Sequence, residues 1–513
     1  MSKFFRIIVT FLFFLATVVG CKKEPVGTEN GNGTDDTPTT PVFERYVKGK
    51  YVPSSILRKR HYYSLFLPAS YENDTERTYP VVYFLHGIGE SQSKNWSEYI
   101  SVIKSLESAG MQEMIYVFPD GFDSYYCNTY NEEFRYMDMF IEELVPHIDK
   151  NYRTTADREH RAVTGYSMGG FGAAALAIRH PETFGMSAPM SLSLYNNARY
   201  TTESQSGWDN QWGSIFGGVG EYGEARLTDY YKLHCPFYAF NEENKETLSQ
   251  VKWFIHCGDD DTITIGNDSL HVVMRRNGYD HEFRMNDGAH TGSYWRSAMR
   301  ETLPWMEHVM NGGGEWTKAM GTISLKSSPL NEDGVFLSQA YKDAEQKDGT
   351  ATYFTHNGLS KDVVDKCIGL LTQSGSIFQY AVLPCDLSEK PLAEWILYYK
   401  QNYEVGKSMA KSQVFAIGED AGLQSWALQN EFRSLYFINA DLAEGETTIS
   451  VQEDKFYYMD YTDDSPYYED AFALYVACKN ADADFEYRKS NGLPDKEEEL
   501  LLAIQNSSKK FKY

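Results

Sequence analysis

Apolar and polar positions follow two rhythms along this chain. Residues 45–68 alternate between them, as in Tyr62-Tyr63-Ser64-Leu65-Phe66-Leu67, and β-forming side chains on a two-residue period predict a strand or hairpin. The rhythm then changes to short continuous apolar runs. One is Val81-Val82-Tyr83-Phe84-Leu85, bounded by His86-Gly87-Ile88-Gly89, and others cover 114–118, 161–164 and 251–256. A run apolar on both faces suits a strand inside a parallel sheet. Helical stretches lie between them, notably 134–150 and 173–178. Strands alternating with helices predict a parallel α/β sheet. Ligands of such sheets bind at the strands' carboxyl ends, where His86-Gly87, Ser167 and the loop after Gly258 all fall.

At the end of the third run, Gly165-Tyr166-Ser167-Met168-Gly169 has the G-x-S-x-G pattern of a nucleophile elbow. The strand reverses into a helix so sharply there that the flanking residues must lack a Cβ, which leaves Ser167 projecting alone. A serine hydroxyl becomes nucleophilic when an imidazole takes its proton and an acid fixes that imidazole's tautomer. In α/β-hydrolases, which carry such an elbow, the chain order is serine, acid, histidine. After the buried-strand pattern 251–256 comes Gly258-Asp259-Asp260-Asp261, and any of the three carboxylates fits the acid. His290 follows the strand-like 282–285 in Asp287-Gly288-Ala289-His290, and is the base this order selects. His256 sits within a strand, while His271 and His281 lie on or beside a helix. The Met168 and Ile88 N–H groups are the expected oxyanion donors, and His86 is expected to structure its loop.

Together these pieces resemble the esterase D group of α/β-hydrolases over residues 79–307. That group holds feruloyl and acetylxylan esterases of carbohydrate esterase family 1, S-formylglutathione hydrolase and the mycolyltransferases. The matching motifs are Tyr83-Phe84-Leu85-His86-Gly87, Asp157-Arg158-Glu159-His160-Arg161, residues 165–170, Gly258-x-x-Asp261, and Gly288-Ala289-His290 followed by Tyr294-Trp295. The resemblance implies an α/β-hydrolase fold with Ser167 as nucleophile, His290 as base and Asp261 as acid. It implies no cofactor or metal. Two segments depart from the group: Ile88-Gly89-Glu90-Ser91 replaces its Gly-rich continuation, and the loop between Ser191 and Pro236 has no counterpart. Trp208, Trp212 and several tyrosines in that loop are expected to shape the acyl or sugar pocket.

At 513 residues the chain is long enough for two domains. Its net charge of -24 argues against nucleic acid or anionic headgroups as partners. Lys3 and Arg6 precede an apolar run, 7–19, that ends at Cys21. This resembles a bacterial lipoprotein signal and implies cleavage before Cys21 and lipidation of its thiol. Residues 22–44 read as a flexible tether, 45–312 as an esterase domain, and the Gly312-Gly313-Gly314 run as a boundary. The other six cysteines lack metal-binding spacing.

Residues 313–513 echo the first half in order. Tyr353-Phe354-Thr355-His356 resembles 83–86, 382–386 resembles 117–120, and 414–422 resembles the elbow with Asp420 in place of Ser167. Residues 474–478 echo 253–257, and 488–492 echo 275–278. The expectation is a degenerate second hydrolase-like copy without catalysis, since no histidine follows His356. The function expected is hydrolysis of acetyl or feruloyl esters on a polysaccharide or oligosaccharide by an exported, lipid-anchored enzyme. Hydrolysis or acyl transfer on a small non-carbohydrate ester such as a siderophore, and non-catalytic glycan binding, are the alternatives. Oligomeric state is left open.

Overall fold

In the computed structural model, the described residues are 43–314, 316, 335–337, 350–372, 380–403, 412–417, 432–440, 451–452, 455–462, 465–490 and 496–508. Cys21, tether residues 22–42 and Asp420 lie outside them. The alternating stretch forms an antiparallel hairpin, β1 (Tyr46–Ser54) and β2 (Lys59–Phe66). The apolar runs become β3 (Val81–Leu85), β4 (Ile115–Pro119), β5 (Arg161–Ser167) and β7 (Lys252–Gly258), with β6 (Met186–Leu192) and β8 (Glu282–Asn286) completing the half-sheet. All of β3, β4 and β6 is buried, which is why their sequence lacks alternation.

The strand order is β1-β2-β4-β3-β5-β6-β7-β8, parallel from β4 to β8. This is the arrangement of an α/β-hydrolase. Helices Ser97–Ser108 and Gly292–Met310 pack Trp96, Tyr99, Trp295 and Trp305 against Phe84, Phe118, Tyr166 and Phe254 in one buried cluster. The helical stretch expected over 134–150 runs from Tyr136 to Asn151, with a π-helical turn at Phe140–Leu144.

The sheet continues into the second half of the chain. Its described strands are β9 (Phe336–Leu337), β10 (Thr350–His356), β11 (Tyr380–Asp386), β12 (Gln413–Ile417), β13 (Ser434–Ile438), β14 (Phe456–Thr462) and β15 (Asp484–Ser490). Read inward from the far edge, the order is β9-β11-β10-β12-β13-β14-β15, parallel except for β9. That is the order β2-β4-β3-β5-β6-β7-β8 repeated. Strands β8 and β15 close the seam as an antiparallel pair, Met285 opposite Lys489. Residue 312 falls in the chain between the strands of the two half-sheets, which share one sheet.

Two of the echoes are in the wrong register. Residues 474–478 lie in the helix Tyr468–Asn480, not in a strand like 253–257, and Arg488 lies in β15, whereas Arg275 ends a helix. A five-residue apolar run reads alike in a buried helix and a buried strand. Cys127, Cys235, Cys257, Cys367, Cys385 and Cys478 are all free and buried.

Candidate active site

Strand β5 ends at Ser167, and the helix Met168–Arg179 begins at the next residue. Ser167 takes φ 58° and ψ -123°, a left-handed backbone costing on the order of 1–3 kcal/mol for a residue with a Cβ. The turn fits because its neighbours are glycines. A Cβ on Gly169 would stand 2.2 Å from the Leu85 carbonyl oxygen, and one on Gly165 would stand 2.6 Å from the same atom. The helix N-terminus then points its first N–H groups, Met168 foremost, to the Ser167 side of the turn.

The serine has the partners its chain order requires. His290 Nε2 lies 2.9 Å from Ser167 Oγ, and Nδ1 lies 2.9 Å from each oxygen of Asp261. An ionised carboxylate only accepts, so Nδ1 carries the proton and Nε2 is left to take one from the serine hydroxyl. Asp261 is fully buried, and His290 is about one-third exposed at 31%. Trp295 presents its ring edge-on to His290, centroids 5.0 Å apart, and stacks on Tyr166 at 4.1 Å. This holds the imidazole plane between the elbow and the helix Gly292–Met310.

The three candidate acids separate by environment. Asp261 alone reaches His290. Asp259 turns the other way and accepts from the Gly288 N–H at 3.1 Å, from the Tyr487 N–H at 3.0 Å and from Arg488. Burial pushes its carboxyl up to about 6, against the opposing pull of Arg488. Asp260 is exposed, and its N–H donates to the Gly288 carbonyl at 3.0 Å. Asp259, Asp260 and Asp287 converge closely enough for a cation, but the Arg488 guanidinium already bonds Asp259 and lies 3.8 Å from Asp287. Of the other histidines, His256 is held within β7 by the Tyr294 hydroxyl at 2.7 Å, and His271 and His281 bond each other at 2.8 Å.

The loop at 86–90 lies against the serine. A Cβ on Gly87 would stand 3.6 Å from the Ser167 Cβ, which places the Gly87 backbone beside the elbow. His86 is buried, accepts the Gly121 N–H on Nε2 at 2.7 Å and donates from Nδ1 to the Gly87 carbonyl at 2.7 Å. Glu90 replaces the absent glycines as an anchor: it accepts the Gly87 N–H at 3.2 Å and the Tyr166 hydroxyl at 2.5 Å, while Lys94 bonds both Glu90 and Tyr166. The i,i+4 spacing of Glu90 and Lys94 was the only signal of this anchor along the chain.

Trp208 and Trp212, expected to shape the pocket, are buried within their own segment. They form an aromatic cluster with Tyr200 and Tyr231, and Arg226 lies beneath it, donating to the carbonyls of Tyr200, Glu203 and Glu221. Tyr125 is nearer the serine side: its hydroxyl bonds Ser193 Oγ at 3.2 Å and accepts from Gln211 at 2.5 Å.

Residues 54–306 match the family model described as "Putative esterase". This stretch of the chain belongs to that family. Two Mycobacterium tuberculosis proteins named as esterases are 37% identical over 137 residues, 25% of this chain. An endo-1,4-beta-xylanase/feruloyl esterase of Xylanibacter ruminicola is 30% identical over 143 residues, 26% of this chain and 19% of its own length. The chain spans 29% of the length of the two mycobacterial esterases. A solved structure titled ferulic acid esterase is 30% identical, covers 52% of this chain and 98% of its own, and has a TM-score of 0.44.

Proposed function

We propose that this esterase-family chain is a serine esterase that hydrolyses acyl esters through an acyl-enzyme on Ser167. The observation that carries the reading is the hydrogen-bonded series Asp261–His290–Ser167, 2.9 Å at each step, on a serine in a left-handed turn. Ser167 Oγ attacks the ester carbonyl carbon as His290 Nε2 takes its proton, and Asp261 stabilises the imidazolium. The oxyanion that forms meets the Met168 and Ile88 N–H groups, each such donor being worth roughly 10²- to 10³-fold in rate. Collapse breaks the bond to the alcohol oxygen, which leaves with the proton from His290. Water, deprotonated by the same imidazole, then releases the acid and restores the serine.

The substrate we favour is an acetyl or feruloyl ester on a polysaccharide or oligosaccharide, a reading supported by the names of the relatives. Export and lipid anchoring at Cys21 belong to the same proposal and rest on the residues before the tether. Replacing Cys21 by Ser should abolish incorporation of a labelled fatty acid, and unchanged labelling would remove the anchor from this reading.

Activity is tested on the chain lacking residues 1–21, with p-nitrophenyl acetate and methyl ferulate. Ser167→Ala and His290→Ala should each lower turnover by about 10⁴- to 10⁶-fold. Equal turnover in wild type and both variants would sink the mechanism.

A further inference from the structure

The polar groups around Asp261 come from both halves of the chain. Lys479, on the helix Tyr468–Asn480, reaches across the β8–β15 seam and donates from Nζ to the Asp261 carbonyl at 2.7 Å. Tyr475, one turn earlier, donates its hydroxyl to the Asp259 carbonyl at 3.3 Å. From β15, the Tyr487 N–H and the Arg488 guanidinium hold Asp259 Oδ2. The other oxygen of Asp259 holds the Gly288 N–H, two residues before His290. Lys489 and the Tyr487 hydroxyl then grip Asp268, in the helix that follows the acid loop, at 3.0 and 2.9 Å.

An adhesive seam would present apolar side chains. Here donors from the second half converge on the loop that carries Asp261, and Asp259 passes that restraint on to the loop that carries His290. Asp259 and Lys489 are each 1% exposed and Asp268 is fully buried, while Lys479 and Arg488 are half-buried with their donors turned inward onto the loop. Leaving such a buried group without its partner is unfavourable, which locks the loop in one geometry.

We propose that the C-terminal half clamps the two loops that carry the acid and the base, with Lys479 and Arg488 as positioning residues. The proposal rests on the serine-esterase reading. Neither residue touches substrate or a reacting atom; each acts by holding Asp261 where it orients His290. Misplacing a reacting group by about 1 Å costs on the order of 100-fold in rate.

The test uses the chain with its C-terminal half intact and p-nitrophenyl acetate as probe, with circular dichroism at the assay temperature to establish folding. Lys479→Met should lower kcat roughly 10- to 100-fold with KM nearly unchanged, and Lys479→Arg, which keeps a donor at that position, should restore most of it. Arg488→Met should lower kcat in the same way; because it strands Asp259 and can unfold the seam, Lys479→Met carries the decision. Full kcat in Lys479→Met, or equal losses in Lys479→Met and Lys479→Arg, would overturn the clamp while the esterase reading stands. A wild type no faster than Ser167→Ala would end the esterase reading and the clamp with it.

Discussion

At the residue scale the elbow is a problem of space. The serine can hold φ 58° only while Gly165 and Gly169 leave room for the Leu85 carbonyl. Gly169→Ala would drive a methyl to 2.2 Å from that oxygen, and the backbone has no flexible end to yield. The variant should lose roughly 3 kcal/mol of stability in urea unfolding; stability within 0.5 kcal/mol of wild type would contradict the account. The acid was the residue-scale question that the chain order left open. Three consecutive aspartates have the same chemistry, and only the turn decides which one faces the imidazole. Asp261→Asn should therefore lower kcat by about 10⁴-fold, whereas the exposed Asp260→Asn should leave it within a few-fold. Comparable losses in the two would move the assignment.

At the element scale the parallel strands were legible because burial on both faces writes itself as continuous apolar runs. The hairpin was legible for the opposite reason, since one of its faces meets water. The order of residues could not settle whether 474–478 is strand or helix, because a short apolar run satisfies both periods. The insertion after β6 was opaque for another reason: its aromatics pack on one another rather than on the sheet, so they follow no periodic face. Arg226 ties that segment together from within, fully buried and bonded to three carbonyls. Arg226→Met should loosen the segment, raising KM several-fold at nearly constant kcat and lowering the melting temperature. A change in kcat alone would show that the insertion bears on the chemistry and not on the pocket.

At the scale of the molecule, buried titratable groups set the acid limit of stability. Burial pulls His61, His234 and His281 down to about 4 from an ordinary 6.5. Each depressed imidazole stabilises the fold above pH 6.5, and that contribution is lost as pH falls toward 4, because the unfolded chain binds the proton first. Burial pushes Asp259 and Asp460 the other way, up to about 6 from 3.8, so they oppose the loss between those values. Burial pulls His271 down further still, so the depressed imidazoles outweigh the raised carboxyls and leave a net fall. The melting temperature should therefore decline from pH 6.5 to 4.5, and His234→Gln should flatten the decline. A melting temperature that rises over this interval would contradict the balance.

The sequence by itself determined the alternation of strands and helices, the serine turn, the histidine that meets it, and the two second-half echoes at 353–356 and 382–386. Those features are local: each depends on period, on the absence of a Cβ, or on position along the chain. The tertiary structure decided what depends on distance in space. It brought Asp261, already singled out by the Gly258-x-x-Asp261 motif, against His290, set Glu90 under the Tyr166 hydroxyl, and joined β8 to β15 so that Lys479 and Arg488 reach the Asp259–Asp261 loop from more than 200 residues away. No periodicity encodes such a contact, because it arises only when two half-sheets share an edge.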